Sequence, residues 1–505
     1  MNQKIVSLDE LVKITAELKK QGKTIAHCHG CFDLLHLGHI KHFEAASKAA
    51  DILIVTVTPD RFVNKGPGRP VFTESLRMDA IAALQVVSYV ALNKWETAIE
   101  TIKIVRPDFY VKGQDYKDRQ KDITGNIGLE EEAVEAAGGK FYITEEIQFS
   151  SSNLINEHFN PNDDKVQEYL TDFRKKYDAT KVIAEIENLK NLRVLVIGDT
   201  IIDEYHYCRP LGKSSKSPTI SSMYLREETY AGGVLAIANH LEQYAGKVEL
   251  VTCLGDHNTQ QELIDAKLSP GVERKYFFRP DGPTPTKRRY LDLYMNIKLF
   301  EVTFMNDAYI AESIENDIIS YLETRLPECD LVLISDFGHG LISPRIISFL
   351  EKSEKYLAVN AQTNSNNYGF NYITKYNKAD YISIDEKELR LPFGDQYGSI
   401  EQLIEKLYAI TKSDDIQITL GQQGSVYFKN GKFSRTPAFA TRVKDSVGAG
   451  DAVLSLTALC AANKVNPEII TFIGNCTGSL AVEIIGNEHP VYKKDLTKFI
   501  THFLK

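Results

Sequence analysis

Short apolar runs alternate with helix-like segments along most of the 505-residue chain, and this alternation constrains the fold more than any other feature. The first apolar runs are KTIAHCHG, DILIVTVTPD, SYVALN and DFYVKG, and stretches such as IKHFEAASKAAD and ESLRMDAIAALQVV separate them. Strands that alternate with helices predict parallel sheets covered by helices on both faces. We therefore expect an α/β protein whose ligands bind beyond the carboxyl ends of the strands.

One segment interrupts the alternation. Residues 157–190 are rich in charge and lack a strong apolar run, so we interpret them as a linker with a lead-in helix. The pattern then resumes in LRVLVIGDTIIDEY and continues through CDLVLISDFGHG, KYLAVNAQ, ADYISIDEKEL and DIQITLGQQG. The sequence thus predicts two doubly wound domains, residues 1–156 and residues 191–505.

Charge and hydropathy restrict the partners. The net charge is -9 and the pI is about 5.8, and the basic residues form no stripe that could replace phosphate counterions. We therefore expect small-molecule ligands, and neither nucleic acid nor a membrane as partner. The chain lacks an 18-residue apolar run, and its start, MNQKIVSLDELVK, lacks the features of a signal peptide, which predicts a cytoplasmic protein. A homo-oligomer is expected.

Seven cysteines occur at irregular spacing, which is not typical of a disulfide framework. Cys28 and Cys31 form a C-x-x-C motif beside His27 and His29, and this invites a zinc or redox interpretation. Because a second cysteine pair at zinc spacing does not follow, the sequence favours packed thiols at a strand end.

Histidine is concentrated near the amino terminus, where five of the 12 histidines fall between residues 27 and 42. In the stretch HGCFDLLHLGH, His36 and His39 flank a glycine at the point where a helix must begin after a strand. Imidazoles at a helix amino terminus, with glycine allowing close approach of the backbone, can hold the phosphates of a nucleotide. The sequence predicts a nucleotide site here.

Four ordered segments, GCFDLLHLGH, LRMDAIAAL, PDFYVKGQDY and FSSSNLIN, resemble the H-x-G-H nucleotidylyltransferase superfamily. The likeness is nearest to the adenylyltransferase domain of the bifunctional heptose kinase/adenylyltransferase family and more distant to glycerol-3-phosphate cytidylyltransferase. It covers nearly all of residues 23–156. The resemblance implies a Rossmann-like domain that transfers a nucleotidyl group from ATP or CTP to a sugar or polyol phosphate and releases pyrophosphate.

By this resemblance, His36 and His39 are catalytic and stabilise charge on the α-phosphate. We interpret His27, His29 and His42 as packing or solvent-facing residues, with His29 the best exception because it lies nearest the turn. Asp33 is also expected to fix the loop. Ser151 and Ser152 stand where the family has threonine, which keeps the hydroxyl groups. The implied nucleotide-binding residues of this half are Gly30, Phe32, Asp33, Lys65, Arg77, Lys112, Gly113, Asp115, Ser150, Ser151 and Ser152.

Near the carboxyl end, residues 445–451 read DSVGAGD. Small residues allow successive backbone N–H groups to point at one anion, which forms a hole for the charge of a transferring phosphoryl group. Asp451 follows this turn directly, where a general base can accept the proton of an attacking hydroxyl. The sequence predicts phosphoryl transfer in the second half.

Together with GDTIIDEY, AGGVLAIAN, SDFGHG, IDEKEL and TLGQQG, this motif resembles the ribokinase (PfkB) family across residues 193–495. The resemblance implies a ribokinase-like sugar kinase with Asp451 as its base, and Asp385 and Glu388 organising Mg²⁺ through water. The implied sugar-binding residues are Asp203, Gly232, Gly233 and Asn360. The implied nucleotide-binding residues of this half are Gly421, Gly424, Asp445, Gly448, Ala449 and Gly450.

Several positions depart from the heptose kinase pattern. Ala236 stands at an asparagine position, Asn360-Ala361-Gln362 replaces Asp-Pro-Lys, and His339 occupies a basic position. The domain order is also the reverse of that family's. Either the acceptor is not the usual heptose 7-phosphate, or the second domain is a regulatory or oligomerisation module beside a single nucleotidylyltransferase activity. The sequence favours the bifunctional enzyme over the regulatory module, because Asp451 and the glycine turn of the family pattern are retained.

Overall fold

The computed structural model describes residues 4–63, 69–113, 126–144, 164–294 and 297–504. The chain forms two compact units, one of Met1–Asn162 with Thr497–Lys505 and the other of Asp163–Leu496. Five of the predicted nucleotide-binding residues lie outside the described residues: Lys65, Asp115, Ser150, Ser151 and Ser152.

The first unit contains a parallel five-stranded sheet with strand order β3-β2-β1-β4-β5. Its strands are β1 (Ile25–Gly30), β2 (Ile52–Val57), β3 (Tyr89–Leu92), β4 (Phe109–Lys112) and β5 (Lys140–Ile143). Its described helices are α1 (Leu8–Lys20), α2 (Leu37–Ala49), α3 (Glu74–Ala82), α4 (Ile99–Val105) and α5 (Asn126–Ala136). Strand order reverses between β1 and β4, and such a switch point opens a crevice for ligands beyond the carboxyl ends.

The central strands of this sheet are buried on both faces, which explains their continuous apolar runs. Ile25 and Ala26 of β1 and Leu53 and Val55 of β2 are 0 to 1% exposed. The predicted doubly wound α/β fold is confirmed for this unit.

The second unit contains a nine-stranded sheet with order β10-β9-β6-β13-β14-β15-β16-β17-β18, parallel up to β16 and antiparallel beyond it. The strands are β6 (Arg193–Gly198), β9 (Lys247–His257), β10 (Val272–Pro283), β13 (Leu331–Asp336), β14 (Tyr356–Ala361), β15 (Tyr381–Asp385), β16 (Asp415–Thr419), β17 (Ser425–Lys429) and β18 (Lys432–Thr436). The helices of this unit from residue 234 onward are α8 (Val234–Glu242), α9 (Gln261–Lys267), α10 (Glu312–Arg325), α11 (Pro344–Glu351), α12 (Glu386–Arg390), α13 (Ile400–Thr411), α14 (Ala449–Ala462) and α15 (Pro467–Ala481). The last helix, α16 (Lys493–Phe503), begins in this unit, and its residues from Thr497 onward belong to the first.

A separate four-stranded sheet, with order β12-β11-β7-β8, was not predicted. Its strands are β7 (Thr200–Lys213), β8 (Ile220–Gly233), β11 (Thr286–Asp292) and β12 (Ile297–Phe304). The stretch LRVLVIGDTIIDEY therefore contains parts of two strands, because β6 ends at Gly198 and β7 belongs to the other sheet. A side chain at Gly198 would overlap the backbone oxygen of Ser335 on the neighbouring strand, so the close approach requires glycine.

The segment predicted as linker and lead-in helix contains two helices, α6 (Asp164–Lys176) and α7 (Ala179–Asn188). Val166, Leu170 and Phe173 form the buried face of α6, and the ring of Phe173 stacks on Phe472 with centroids 4.3 Å apart. The described part of this segment therefore packs as a component of the second unit.

All seven cysteines have free thiols and are buried, including Cys28 and Cys31. Among the described residues, no group of three or more His, Cys, Asp or Glu side chains is arranged to hold a metal ion. None of the helices in the described ranges has the length and apolar character needed to cross a membrane.

Candidate active sites

His36 caps the amino terminus of α2, and this contact defines its tautomer. The Nδ1 atom of His36 accepts a hydrogen bond from the backbone N–H of Gly38 at 3.1 Å. A neutral imidazole that accepts at Nδ1 carries its proton on Nε2, and burial lowers the pKa of His36. The side chain is therefore a neutral donor through Nε2–H.

His39 lies one turn into α2, directly beside His36. The two imidazole rings stack with centroids 4.0 Å apart and an interplanar angle of 20°. The ring of Phe32, whose backbone has a φ of 50°, meets His39 edge-on at 5.3 Å. The structure thus brings both predicted catalytic histidines to a helix amino terminus, where the helix dipole favours an anion.

Asp33 fixes the loop between β1 and α2. Its buried carboxylate pairs with Nε of Arg69 at 3.0 Å and accepts hydrogen bonds from the backbone N–H groups of Val71 at 2.7 Å and Phe72 at 3.1 Å. These contacts agree with the expected loop role and hold the segment after residue 68 against the histidine turn.

Arg77 is fully buried on α3 and binds protein oxygens. Its guanidinium donates to the carbonyl of Cys31, to that of Thr58 at 2.8 Å and to that of Phe72 at 3.0 Å, and it pairs with Asp60 at 2.5 Å. These bonds fix the loops that follow β1 and β2. The nucleotide contact predicted for Arg77 stays a prediction, and its described contacts favour an indirect role.

Lys112 ends β4 beside Gly113 and forms a buried ion pair with Glu130 of α5. The Nζ and Oε2 atoms lie 2.9 Å apart, and the two side chains are 10% and 5% exposed. Burial, with the nearby Lys112 charge, lowers the pKa of His29 to about 3 and that of His42 to about 4. The imidazoles around Lys112 are therefore neutral at physiological pH.

In the second unit, Asp451 lies in the first turn of α14, and Gly448 caps that helix. Gly448 has a φ of 80°, and a side chain there would overlap Asn487. Burial first, and then the charge of Asp203, raise the pKa of Asp451 to about 7, while Lys287 opposes the shift. A general base with a pKa near the working pH is well matched to proton transfer.

Asp203 and the predicted Gly232-Gly233 pair meet across β7 and β8. Ile201 pairs with Gly232 in this antiparallel ladder, and a side chain at 232 would overlap the Asp203 carboxylate. Glycine is therefore required for Asp203 to occupy its position. The charge of Asp203 raises the pKa of Asp451, so these two carboxylates lie in one site.

Two basic residues of this site, Lys287 and Arg289 of β11, were not predicted from the sequence. They are separated by one residue, so they lie on the same face of the strand. Arg289 forms an ion pair with Asp203 and another with Glu301 at 2.8 Å. Lys287 is 7% exposed, and burial lowers its pKa against the opposing charge of Asp203. The available signal was the run TPTKRR, in which basic residues interrupt a strand-like segment.

Of the positions that depart from the family pattern, Ala236, His339, Asn360 and Ala361 are buried, and Gln362 is half-buried. Asn360 donates from Nδ2 to the carbonyl of Ser383 at 2.8 Å, and Ala236 is 2% exposed in α8. His339 is 2% exposed, and neither ring nitrogen has a hydrogen-bond partner among the described residues. Burial, with the Lys287 charge, lowers the pKa of His339 to about 3, so this residue is neutral.

Asp385 and Glu388 form a reciprocal cap at the start of α12. Asp385 accepts from the backbone N–H of Glu388 at 2.7 Å, and Glu388 accepts from those of Asp385 at 2.8 Å and Thr363 at 3.0 Å. Burial first, and then the charges of Asp385 and Asp451, raise the pKa of Glu388. Carboxylates crowded in this way fit a divalent cation, which would relieve their repulsion.

A cavity of about 690 Å³ opens beside this cap at the carboxyl ends of β15 and β16. Asp385, Lys387, Thr419 and Gly421 are among its lining residues. Gly421 has a φ of 56°, which other residues rarely adopt. The structure thus brings Gly421 and Asp385, predicted from separate motifs, to one cavity.

Asp445 is the first residue of the glycine turn DSVGAGD, and Gly424 is the last residue of the loop between β16 and β17. Asp445 accepts hydrogen bonds from Tyr205 Oη at 2.7 Å and Lys298 Nζ at 2.8 Å. Gly424 has a φ of 88°, and a side chain there would overlap the backbone of Thr436. Both residues therefore shape the protein around the site, and their predicted nucleotide contacts stay predictions.

Two family models match the chain. Residues 27–158 match the cytidylyltransferase-like model, and residues 191–493 match the pfkB family carbohydrate kinase model. The two matches follow the two α/β patterns in order and confirm the predicted resemblance of each half.

Curated relatives carry the name Bifunctional protein HldE. The one from Campylobacter fetus subsp. fetus (strain 82-40) is 36% identical over 157 residues, which cover 31% of this chain and 31% of that protein. The one from Desulfatibacillum aliphaticivorans is 27% identical over 312 residues, which cover 60% of this chain and 62% of that protein. The first of these matches spans about a third of the relative's length, and the second spans less than two thirds.

Among solved structures, Phosphofructokinase-2 from Escherichia coli in complex with substrates and products matches with a TM-score of 0.50 and 13% identity. The match covers 62% of this chain and all of that protein, 100% of its length. This likeness shows the fold of the second unit.

Proposed function

The chain belongs to the pfkB family of carbohydrate kinases, and from this membership we propose that its second unit transfers the γ-phosphoryl group of ATP to a sugar or sugar phosphate. We further propose that its first unit transfers a nucleotidyl group from ATP or CTP to a sugar or polyol phosphate. The protein is then a bifunctional enzyme of nucleotide-activated sugar synthesis.

The kinase proposal is carried by Asp451, buried at the amino terminus of α14 with a pKa raised by burial to about 7. In the proposed reaction a sugar hydroxyl, oriented by Asp203, loses its proton to the Asp451 carboxylate as it attacks the γ-phosphorus of ATP. The bond from that phosphorus to the bridging oxygen breaks, and ADP leaves. The backbone at Gly448, Ala449 and Gly450 offers N–H groups to the charge of the transferring group.

Mg²⁺ fits this proposal at Asp385 and Glu388. These carboxylates would hold the ion through water, and the ion would neutralise phosphate charge. The support is the crowding of negative charge, since Asp385 and Asp451 both raise the pKa of the buried Glu388.

We propose that the kinase acceptor carries a negatively charged group. Lys287 and Arg289 lie on one face of β11 close to Asp203, and a buried ammonium group is costly unless it meets an anion. A sugar phosphate would supply that charge. The acceptor differs from heptose 7-phosphate in this proposal, because Ala236 cannot donate the amide hydrogen bond of the family's asparagine.

The nucleotidyl-transfer proposal is carried by the stacked pair His36 and His39 at the start of α2. The acceptor's phosphate oxygen attacks the α-phosphorus of the NTP, and the bond to the β-phosphate breaks to release pyrophosphate. The Nε2–H of His36 is suited to donate to an oxygen of the α-phosphate as its charge grows. This reaction needs positioning and electrostatic stabilisation more than a covalent nucleophile.

We also propose a homo-oligomer that buries the outer part of the four-stranded sheet. Ile220 is 74% exposed and Phe300 is 56% exposed, on the two edge strands of this sheet, and exposed apolar side chains of this size are typical of an interface. A second copy would cover both. Light scattering tests this point, because Phe300→Glu should lower the mass of the assembly to that of one chain.

We propose that the protein acts in the cytoplasm, where nucleoside triphosphates are available.

One experiment tests both activities. The purified chain is incubated with ATP or CTP and a panel of sugar 1-phosphates and polyol phosphates, and pyrophosphate is measured. It is then incubated with ATP and a panel of sugars and sugar phosphates, and ADP is measured. Both products support the bifunctional enzyme. Pyrophosphate without any sugar-dependent ADP would instead support a single nucleotidylyltransferase with a regulatory kinase-like unit.

A further inference from the structure

A chain of three hydrogen bonds runs along the carboxyl ends of β1 and β2 in the first unit. His27 Nε2 lies 2.7 Å from Thr56 Oγ1, and His29 Nδ1 lies 2.9 Å from the same oxygen. His29 Nε2 then lies 3.3 Å from Thr58 Oγ1. These hydrogen bonds connect the fully buried His27 to the half-buried hydroxyl group of Thr58, and the Thr56 oxygen is shared by the first two of them.

His27, at the buried end of this row of hydrogen bonds, determines which atom donates in each bond. His27 is 0% exposed, and its Nδ1 has no hydrogen-bond partner among the described residues. A buried donor without an acceptor is costlier and rarer than an unused lone pair, so the proton of His27 belongs on Nε2. His27 therefore donates to Thr56.

Each further link follows from the first. Thr56 has one hydroxyl proton, and because its oxygen accepts from His27, that proton goes to Nδ1 of His29. A neutral His29 that accepts at Nδ1 carries its proton on Nε2 and donates it to Thr58. The hydroxyl proton of Thr58 is left without an acceptor among the described residues.

Thr58 stands at the edge where ligands bind. Its backbone N–H donates to the carbonyl of Gly30 at 3.0 Å, so it lies beside the last residue of β1. The same strand end leads through a short turn to His36 and His39. Ligands of doubly wound sheets lie beyond the carboxyl ends of the strands.

We propose that the Thr58 hydroxyl is a further binding group of the nucleotidyl-transfer site and donates its proton to a phosphoryl oxygen of the bound substrates. His29 is a positioning residue in this proposal, since it acts through Thr58. A phosphoryl oxygen is the acceptor of choice because it has lone pairs and no proton of its own. The oxygen could belong to the NTP or to the sugar phosphate, and the experiment separates these sources.

The inference rests on the proposed nucleotidyl transfer, and four variants of the full chain test it. Thr58→Val removes the hydroxyl at nearly constant shape, whereas Thr58→Ser keeps it. Thr56→Val breaks the chain at a fully buried position. Thr144→Val is the matched control, because it breaks another histidine–threonine hydrogen bond of the same unit, between His42 Nδ1 and Thr144 Oγ1 at 2.9 Å.

We measure KM and kcat for each substrate by pyrophosphate release, and the affinity for a non-hydrolysable NTP analogue by calorimetry. Thr58→Val should lower kcat/KM by roughly 10- to 100-fold, the loss typical of a hydrogen bond to a charged group, and Thr58→Ser should restore most of it. Thr56→Val should cost about 3- to 10-fold, and Thr144→Val less than about 2-fold. Weaker binding of the analogue identifies the NTP as the source. An unchanged analogue affinity with a raised KM for the sugar phosphate identifies the acceptor.

Equal activity of Thr58→Val and wild type would overturn the inference, as would equal losses in Thr58→Val and Thr144→Val. Nitrogen-15 NMR of the histidine rings gives a readout independent of activity, and an Nδ1–H tautomer at His27 or His29 would also overturn it. A wild-type chain that releases no pyrophosphate with the whole panel contradicts the proposed function instead. The tautomer and analogue measurements then still decide the inference.

Discussion

Lys298 of β12 donates a hydrogen bond from Nζ to Oδ1 of Asp445 at 2.8 Å, and so joins the four-stranded sheet to the loop before the glycine turn. The hydroxyl of Tyr205 on β7 donates to the other carboxylate oxygen at 2.7 Å. Burial alone would raise the pKa of Asp445, but these two bonds lower it below its usual value. The negatively charged Asp445 therefore links two strands of this sheet, β7 and β12, to the glycine turn DSVGAGD.

Removing the hydrogen bond between Lys298 and Asp445 should weaken substrate binding by the second unit. Lys298→Met keeps the length of the side chain and loses the charge, so we expect KM for ATP or for the acceptor to rise about 3- to 10-fold with little change in pyrophosphate release. Lys432→Met, at an exposed position of β18, is the control and should leave both activities unchanged. Identical kinetics of Lys298→Met and wild type would show that the contact does not matter for binding.

The pH dependence of ADP formation should report Asp451. A general base works in its unprotonated form, and burial with the charge of Asp203 raises the pKa of Asp451 to about 7. We therefore expect kcat for ADP formation to rise about tenfold per pH unit below pH 7 and to level off above it. Initial rates with saturating substrates check this profile. A rate that stays flat between about pH 5.5 and pH 8 would exclude Asp451 as the base.

The same shift predicts that Asp451→Asn stabilises the second unit. Between the ordinary pKa of 3.8 and the raised value of about 7, the folded carboxyl binds more protons than the unfolded one, so wild-type stability falls as pH rises. Asparagine does not titrate. The gain in the free energy of unfolding should be near zero below pH 4 and reach about 2–4 kcal/mol above pH 7. Urea unfolding at both pH values measures it, and equal gains at both would contradict the shift.

Two substitutions at His36 should separate helix capping from catalysis. Asparagine can still accept the Gly38 N–H bond, whereas alanine cannot, so His36→Ala should lose about 0.5–2 kcal/mol of stability that His36→Asn retains. Both variants lose the Nε2–H donor, and we expect pyrophosphate release to fall roughly 100-fold or more in each. Unfolding curves and initial rates measure the two effects. Near-normal pyrophosphate release by His36→Asn would remove His36 from the catalytic role.

The parts of this fold that were predictable depend on local pattern. Continuous apolar runs such as ILIVTV mark strands buried on both faces, and the glycine turn before Asp451 and the H-x-G-H turn are contiguous in sequence. Each of these features carries its signal within a few residues. They predicted the buried parallel strands β1 to β4 of the first unit and β6 and β13 to β16 of the second, and they placed His36, His39 and Asp451 at helix starts.

The parts that were not predictable depend on distant pairing. Lys287 enters the kinase site only because β11 pairs with β7, which places it opposite Asp203. The ion pair of Lys112 with Glu130 likewise joins β4 to α5. Strands such as β8 mix polar and aromatic residues and are exposed over about half of their length. They lack the long apolar run that marks the other strands, so the sequence pattern did not predict the four-stranded sheet.

One chain carries two separate chemistries in the proposed function, and a crossed assay tests this most directly. Pyrophosphate and ADP are measured on the same preparations of wild type, His39→Ala and Asp451→Asn. We predict that His39→Ala loses pyrophosphate release by roughly 100-fold or more and keeps ADP formation, and that Asp451→Asn shows the opposite loss. Wild-type ADP formation by Asp451→Asn, or a single substitution that abolishes both products, would contradict the account.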